Sequence, residues 1–118
     1  MINQNLTLQV AGILAIGIAL YHGIYGDKIM RALTITPSDQ APLMRGSFHI
    51  GTMGWLAGGI LLFVASLLEP GIGRNAIVFV YAFVYGFPGV ANAIMSGGRP
   101  NVGWIGLLLI VVLALMGR

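Results

Sequence analysis

The sequence predicts an all-α integral membrane protein: a single bundle of four transmembrane helices, the second extending beyond the bilayer. Three observations carry that expectation: composition, four long apolar runs, and the polar turns between them. Hydrophobic residues make up 58% of the chain and charged ones 8%, with a mean hydropathy of +0.92. A soluble domain carries about 25% Asp, Glu, Lys and Arg. Six basic and three acidic side chains on 118 residues cannot provide a wetted surface, so lipid must cover most of the exterior. The length suits one unit spanning residues 1–118.

A helix crosses the hydrocarbon with about 20 apolar residues, because nothing in lipid satisfies an open backbone. Four segments approach this, from about Leu6 to Tyr25, Phe48 to Leu68, Asn75 to Met95 and Val102 to Met116. They are continuously apolar and lack the alternation of barrel strands. Leu6 onward reads as a retained span, since no basic n-region precedes it.

The first connection is the longest. Asp27 to Leu33 reads as a short interfacial helix that offers Lys28 and Arg31 to the headgroups. Thr36-Pro37-Ser38-Asp39 has the pattern of a helix start, with a capping hydroxyl, a proline at the first position and an acid behind it. A second helix from Pro37 to Leu68 would be about 48 Å long, beyond the hydrocarbon thickness; Pro42 is the alternative start. The other breaks are Glu69-Pro70-Gly71-Ile72-Gly73-Arg74 and Ser96-Gly97-Gly98-Arg99-Pro100-Asn101. Both are short, so the helices they join should pack antiparallel.

Small residues recur at helical steps: Ala11, Ala15, Ala19 and Gly23 on the first helix, and Gly51, Gly54 and Gly58 on the second. Such rows let backbones approach where packing, not water, drives association. Lys28, Arg31, Arg45 and Arg99 fall on one membrane face, Arg74 and Arg118 on the other. The bias expects both termini on the non-cytoplasmic side, in a bacterial inner membrane. Scattered cations without a run exclude nucleic acid as a partner, and zero cysteines exclude disulfides and thiolate chemistry.

The functional question rests on polar side chains in or near the spans. His22 lies near the end of the first span and His49 at the start of the second, at similar depth. Tyr25 flanks the first, and Arg45, His49 and Thr52 share a face of the second helix. Tyr81, Tyr85 and Asn92 share a face of the third with Pro88, which removes one hydrogen bond. The candidate cluster is therefore His22, Arg45, His49 and Asn92, with Tyr25 and Tyr85 beside it. Interhelical bonding and interfacial anchoring account for these residues. The His pair could also ligate haem, chlorophyll, bacteriochlorophyll or a metal, or relay protons.

No Asp or Glu lies inside a span, which argues against a proton-coupled exporter. Small multidrug transporters have a similar length, but carry a glutamate in the first span. No hydrolase or P-loop signature occurs. His22-x3-Gly26-Asp27, then Arg45-x3-His49, then Gly97-Gly98-Arg99-Pro100-Asn101 resembles a pattern in small uncharacterised bacterial four-helix membrane proteins. That resemblance implies the fold and no reaction. The sequence thus leads to a non-catalytic accessory subunit in contact with lipid or pigment, associated with other membrane subunits or with itself. The alternatives are a haem- or quinone-linked redox protein using His22 and His49, and an oligomeric channel or carrier lined by Tyr81, Tyr85 and Asn92.

Overall fold

The computed structural model describes residues 3–118; Met1 and Ile2, at the start of the expected domain, lie outside the described residues. Four helices account for the fold: α1 Gln4–Ala32, α2 Gln40–Ala65, α3 Ile72–Met95 and α4 Val102–Met116. No strand occurs among the described residues. α1, α2 and α3 are each long and apolar enough to cross a membrane, while α4 is a shorter apolar helix. At 15 residues α4 covers about 22 Å, less than the hydrocarbon thickness of about 30 Å.

Two expected boundaries move. The segment from Asp27 to Leu33 does not form a separate interfacial helix, because α1 runs unbroken through Gly26 to Ala32. Its 29 residues extend about 44 Å, so its last turns project past the hydrocarbon. α2 starts at neither Pro37 nor Pro42 but at Gln40, and ends at Ala65 before a turn closed by Ser66, Leu67 and Leu68. Asp39 occupies the N-cap without a side-chain bond. Pro42 falls in the first turn, where a missing N–H costs nothing. α2 still extends beyond the bilayer, at 26 residues and about 39 Å.

The helix ends follow local chemistry. Asn3 and Asn101 cap α1 and α4, their side-chain oxygens accepting from Leu6 N–H at 3.1 Å and Trp104 N–H at 3.2 Å. After α3, Gly97 and Gly98 take φ of 63° and 73°. The Gly98 N–H reaches the Ala93 carbonyl and the Gly97 N–H that of Ile94. This is a Schellman turn, which favours glycine because a Cβ is disfavoured at positive φ.

α1 packs on both α2 and α4, α4 packs on α3, and α2 meets α3 less closely than any of these. Ala11, Ala15 and Ala19 are fully buried, as their row predicts. On α2 the close approach falls elsewhere than expected. A Cβ on Gly12 would lie 2.7 Å from the Gly59 carbonyl, and one on Gly59 would lie 2.9 Å from that of Gly12. The α1–α2 backbones cross there. Gly58 instead receives Tyr81 and Tyr85 of α3, while Gly51 and Gly54 face open space.

Candidate functional site

The α2–α3 seam determines the shape of the site. Tyr85 is fully buried, and its hydroxyl donates to the Trp55 carbonyl at 2.5 Å. With Tyr81 beside it on Gly58, this closes the seam at mid-bundle. Towards the face bearing the first and third connections, the helices part. A cleft of about 790 Å³ lies there, lined by all four helices. α1 contributes His22 and Tyr25, α2 Phe48 and Trp55, α3 Pro88 and Asn92. Gly51 and Gly54, on the same side of α2 as Gly58, meet nothing within 4 Å, so α3 stands away from α2 along this stretch.

His22 is seated by aromatic packing. Its ring stacks on Phe48 at 4.4 Å and leans on Trp55 at 4.6 Å between centroids. Phe48 and Trp55 are two turns apart on α2, so the imidazole fits between them. Gly26 makes room for the Phe48 ring. Tyr25 stacks on Tyr21 at 5.4 Å. Asn92 lines the same cleft from α3.

His49 and Arg45 belong to a different arrangement, centred on Asp27 in the projecting turns of α1. Arg45 donates through Nε to Asp27 Oδ1 at 2.6 Å and through a terminal nitrogen to Oδ2 at 3.1 Å. His49 Nε2 lies 2.8 Å from Oδ1, and Arg31 Nε donates to Oδ2 at 2.7 Å. An ionised carboxylate only accepts, so His49 carries its proton on Nε2. Arg45, then Arg31, then His49 hold the Asp27 carboxyl well below the usual carboxylate range. Asp27 in turn raises Arg45. Among the described residues, every ion pair converges on Asp27.

The expected cluster therefore divides. His22, Tyr25 and Asn92 line the cleft; Arg45 and His49 join Asp27; Tyr85 is the bolt of the seam. His49 lines a second hollow with Thr52 and Met53, which His22 does not share. Bis-histidine ligation of one haem or pigment does not fit: the rings face separate hollows, and His49 Nε2 is engaged by Asp27. Tyr81 and Tyr85 are held at the helix contact rather than along a path with Asn92.

Two residues escaped the sequence reading as candidates. Asp27 reads as an end-of-span acid, yet Asp27-x3-Arg31 facing Arg45-x3-His49 on an antiparallel neighbour is a recognisable charge complement. Arg74 reads as a turn cation but is 1% exposed, at the opposite end of the bundle. It sits in the first turn of α3 and donates to Asn5 Oδ1 at 2.6 Å, the Leu68 carbonyl at 3.3 Å and the Gly117 carbonyl. Its Nε has no partner. A cation at a helix N-terminus opposes the dipole. Here the carbonyl-rich ends of α2 and α4 surround it and offset that cost.

No family model, curated protein or solved structure matches the chain.

Proposed function

We propose that the chain is a non-catalytic accessory subunit of a larger membrane assembly, which holds a lipid in the cleft between its four helices. The observation that carries this reading is the seam between α2 and α3, closed at Tyr85 and open beyond Gly54. A cavity of about 790 Å³ falls in the range of small-molecule sites, about 300–1,000 Å³. We take the gap between α2 and α3 as its entrance, so a ligand already dissolved in the bilayer enters without crossing water. The charged groups support a non-catalytic role: Asp27, Arg31, Arg45 and His49 satisfy one another, and Arg74 is occupied by helix ends. We place the protein in a bacterial inner membrane with both termini outside the cytoplasm, on the excess of basic residues at the face of the first and third connections.

Native mass spectrometry of protein purified in mild neutral detergent tests the proposal. A retained lipid that is lost on Ala91→Phe, which fills the cleft wall, is the expected result. Wild-type protein free of lipid overturns the lipid-holding role, and a monomer with no stoichiometric partner overturns the accessory role.

A second reading, a quinone site, is favoured by one observation: the His22 imidazole and Asn92 amide line a single aromatic cleft. Both can donate to a carbonyl oxygen. Ultraviolet absorbance of an organic extract separates the two, since a quinone chromophore in stoichiometric amount supports this reading and a transparent extract removes it.

A further inference from the structure

The cleft does not end at its aromatic walls. Met95 and Ser96 line both it and a third hollow, of about 580 Å³, whose other walls are Gly97, Arg99, Pro100 and Asn101. An apolar chamber thus has a smaller polar hollow beside it, the two sharing Met95 and Ser96 as a common wall. This polar hollow has one cation in its lining, Arg99.

The other cations of that face are not equivalent to Arg99. Arg31 and Arg45 are bound to Asp27. Lys28 lines neither hollow. Arg99 takes part in no ion pair among the described residues. Its backbone is nevertheless fixed: the Arg99 carbonyl accepts from Trp104 Nε1 at 2.9 Å and from Asn101 Nδ2 at 3.4 Å. The Schellman turn at Gly97-Gly98 immediately precedes it. The loop is thus held by contacts to its main chain, and the guanidinium lines the polar hollow with no ion-pair partner among the described residues.

We propose that the lipid in this cleft is an anionic glycerophospholipid, its acyl chain among His22, Phe48, Trp55 and Phe87 and its phosphate on Arg99. The assignment rests on the lipid-holding role and adds the headgroup class. Arg suits it because a planar guanidinium donates two parallel hydrogen bonds to a phosphate. Proximity to the headgroup layer adds the attraction of a cation for anionic lipid, about 1 kcal/mol per basic residue. A neutral zwitterionic lipid leaves its own cation facing Arg99 and loses that preference.

The test is competition between phosphatidylglycerol and phosphatidylcholine of identical chains, presented in equimolar amounts to detergent-purified full chain and read by native mass spectrometry. Wild type should retain phosphatidylglycerol about fivefold over phosphatidylcholine, the ratio equivalent to one such contact. In Arg99→Gln the ratio should fall to about one with total bound lipid unchanged, because main-chain bonds preserve the loop. Lys28→Gln should leave the wild-type ratio intact. A ratio near one in wild type, or an equal fall in Lys28→Gln, overturns the headgroup assignment while the cleft reading stands if Ala91→Phe still removes lipid. Lipid retention undiminished by Ala91→Phe overturns the cleft reading, and the headgroup assignment with it.

Discussion

The two ends of the bundle hold their charges by opposite means. At one end Asp27 gathers Arg31, Arg45 and His49 in a half-exposed knot where α1 and α2 project past the hydrocarbon. At the other, Arg74 is buried among carbonyls and an amide with no carboxylate in ion-pair range among the described residues. Near water a cation is satisfied by an acid, because screening makes the pair inexpensive to form and weak. Inside the bundle a carboxylate would add a second desolvation cost. Carbonyls at the ends of α2 and α4 need burial anyway and lack helical donors. Arg74 serves two of them, at Leu68 and Gly117, and the Asn5 side-chain oxygen as well. The closed end is joined across helices by hydrogen bonds, and the open end is joined along one helix pair only. That asymmetry leaves the cleft at the Asp27 end.

If the closed end depends on Arg74, its loss should have the largest effect in the molecule. Arg74→Met keeps the apolar stem but strands Asn5 Oδ1 and the Leu68 and Gly117 carbonyls, so we expect about 3–5 kcal/mol of destabilisation. Arg74→Lys retains the charge but cannot fork between partners, and should lose about half as much. Reversible denaturation in mixed detergent measures both. A Met variant as stable as wild type would remove the distinction between the ends.

Gly59 is next. A methyl there would stand 2.9 Å from both the Gly12 carbonyl and the Ile16 amide nitrogen. These are backbone atoms of a packed helix that cannot rotate aside. Gly59→Ala should cost about 1–3 kcal/mol, the range for overpacking, in the same denaturation assay. An unchanged midpoint would show that the α1–α2 crossing is looser than its geometry.

These contrasts explain what the sequence could and could not reveal. Long apolar runs separated by Pro, Gly and charge specify four helices, since lipid leaves the backbone no alternative. The Ala11, Ala15 and Ala19 row was legible because it repeats every four residues on one helix. The partner glycine was not: Gly59 lies beside Gly58, and only the crossing decides which of two neighbours meets α1. The continuity of α1 through Gly26 was hidden by the charges after it, which read as an end when they are the reason the helix continues into water. Of the candidate site, the depth of His22, Asn92 and Tyr25 was legible, because it follows from helix direction. Their separation from His49 and Arg45 depends on rotation about the helix axis, which a strongly charged neighbour, Asp27, resolves. Arg74 meets Gly117 across 43 positions of chain, and no local pattern announces such a contact.

The open end should tolerate what the closed end does not. Gly54 meets nothing within 4 Å, so Gly54→Ala removes backbone freedom from the unfolded chain without a clash. A gain of about 0.5–1 kcal/mol is expected from the difference in helix propensity. The opposite sign from Gly59→Ala, in the same helix and the same assay, is the sharpest form of the comparison. A loss at Gly54 would mean that another surface already occupies the space beside it.

The smallest effect, and one confined to acid, concerns Asp27. Its folded-state pKa is depressed, first by Arg45, then by Arg31 and His49. Such a group contributes stability above its unfolded pKa of about 4, and that contribution is lost as pH falls through the window below it. The melting temperature should therefore be insensitive to Asp27 from pH 8 to about 5 and should begin to fall below about 4. Asp27→Asn should melt lower at neutral pH and lack the acid-side decline attributable to this residue. Arg74, always protonated and without an acid, should show no corresponding window, so the Arg74→Met deficit should be the same at pH 4 and pH 7. An acid-dependent Arg74 deficit, or an acid decline that persists in Asp27→Asn, would show that the two ends do not differ in how they hold charge. A pH-independent deficit at one end and a pH-dependent one at the other would establish that difference by measurement, independent of any ligand in the cleft.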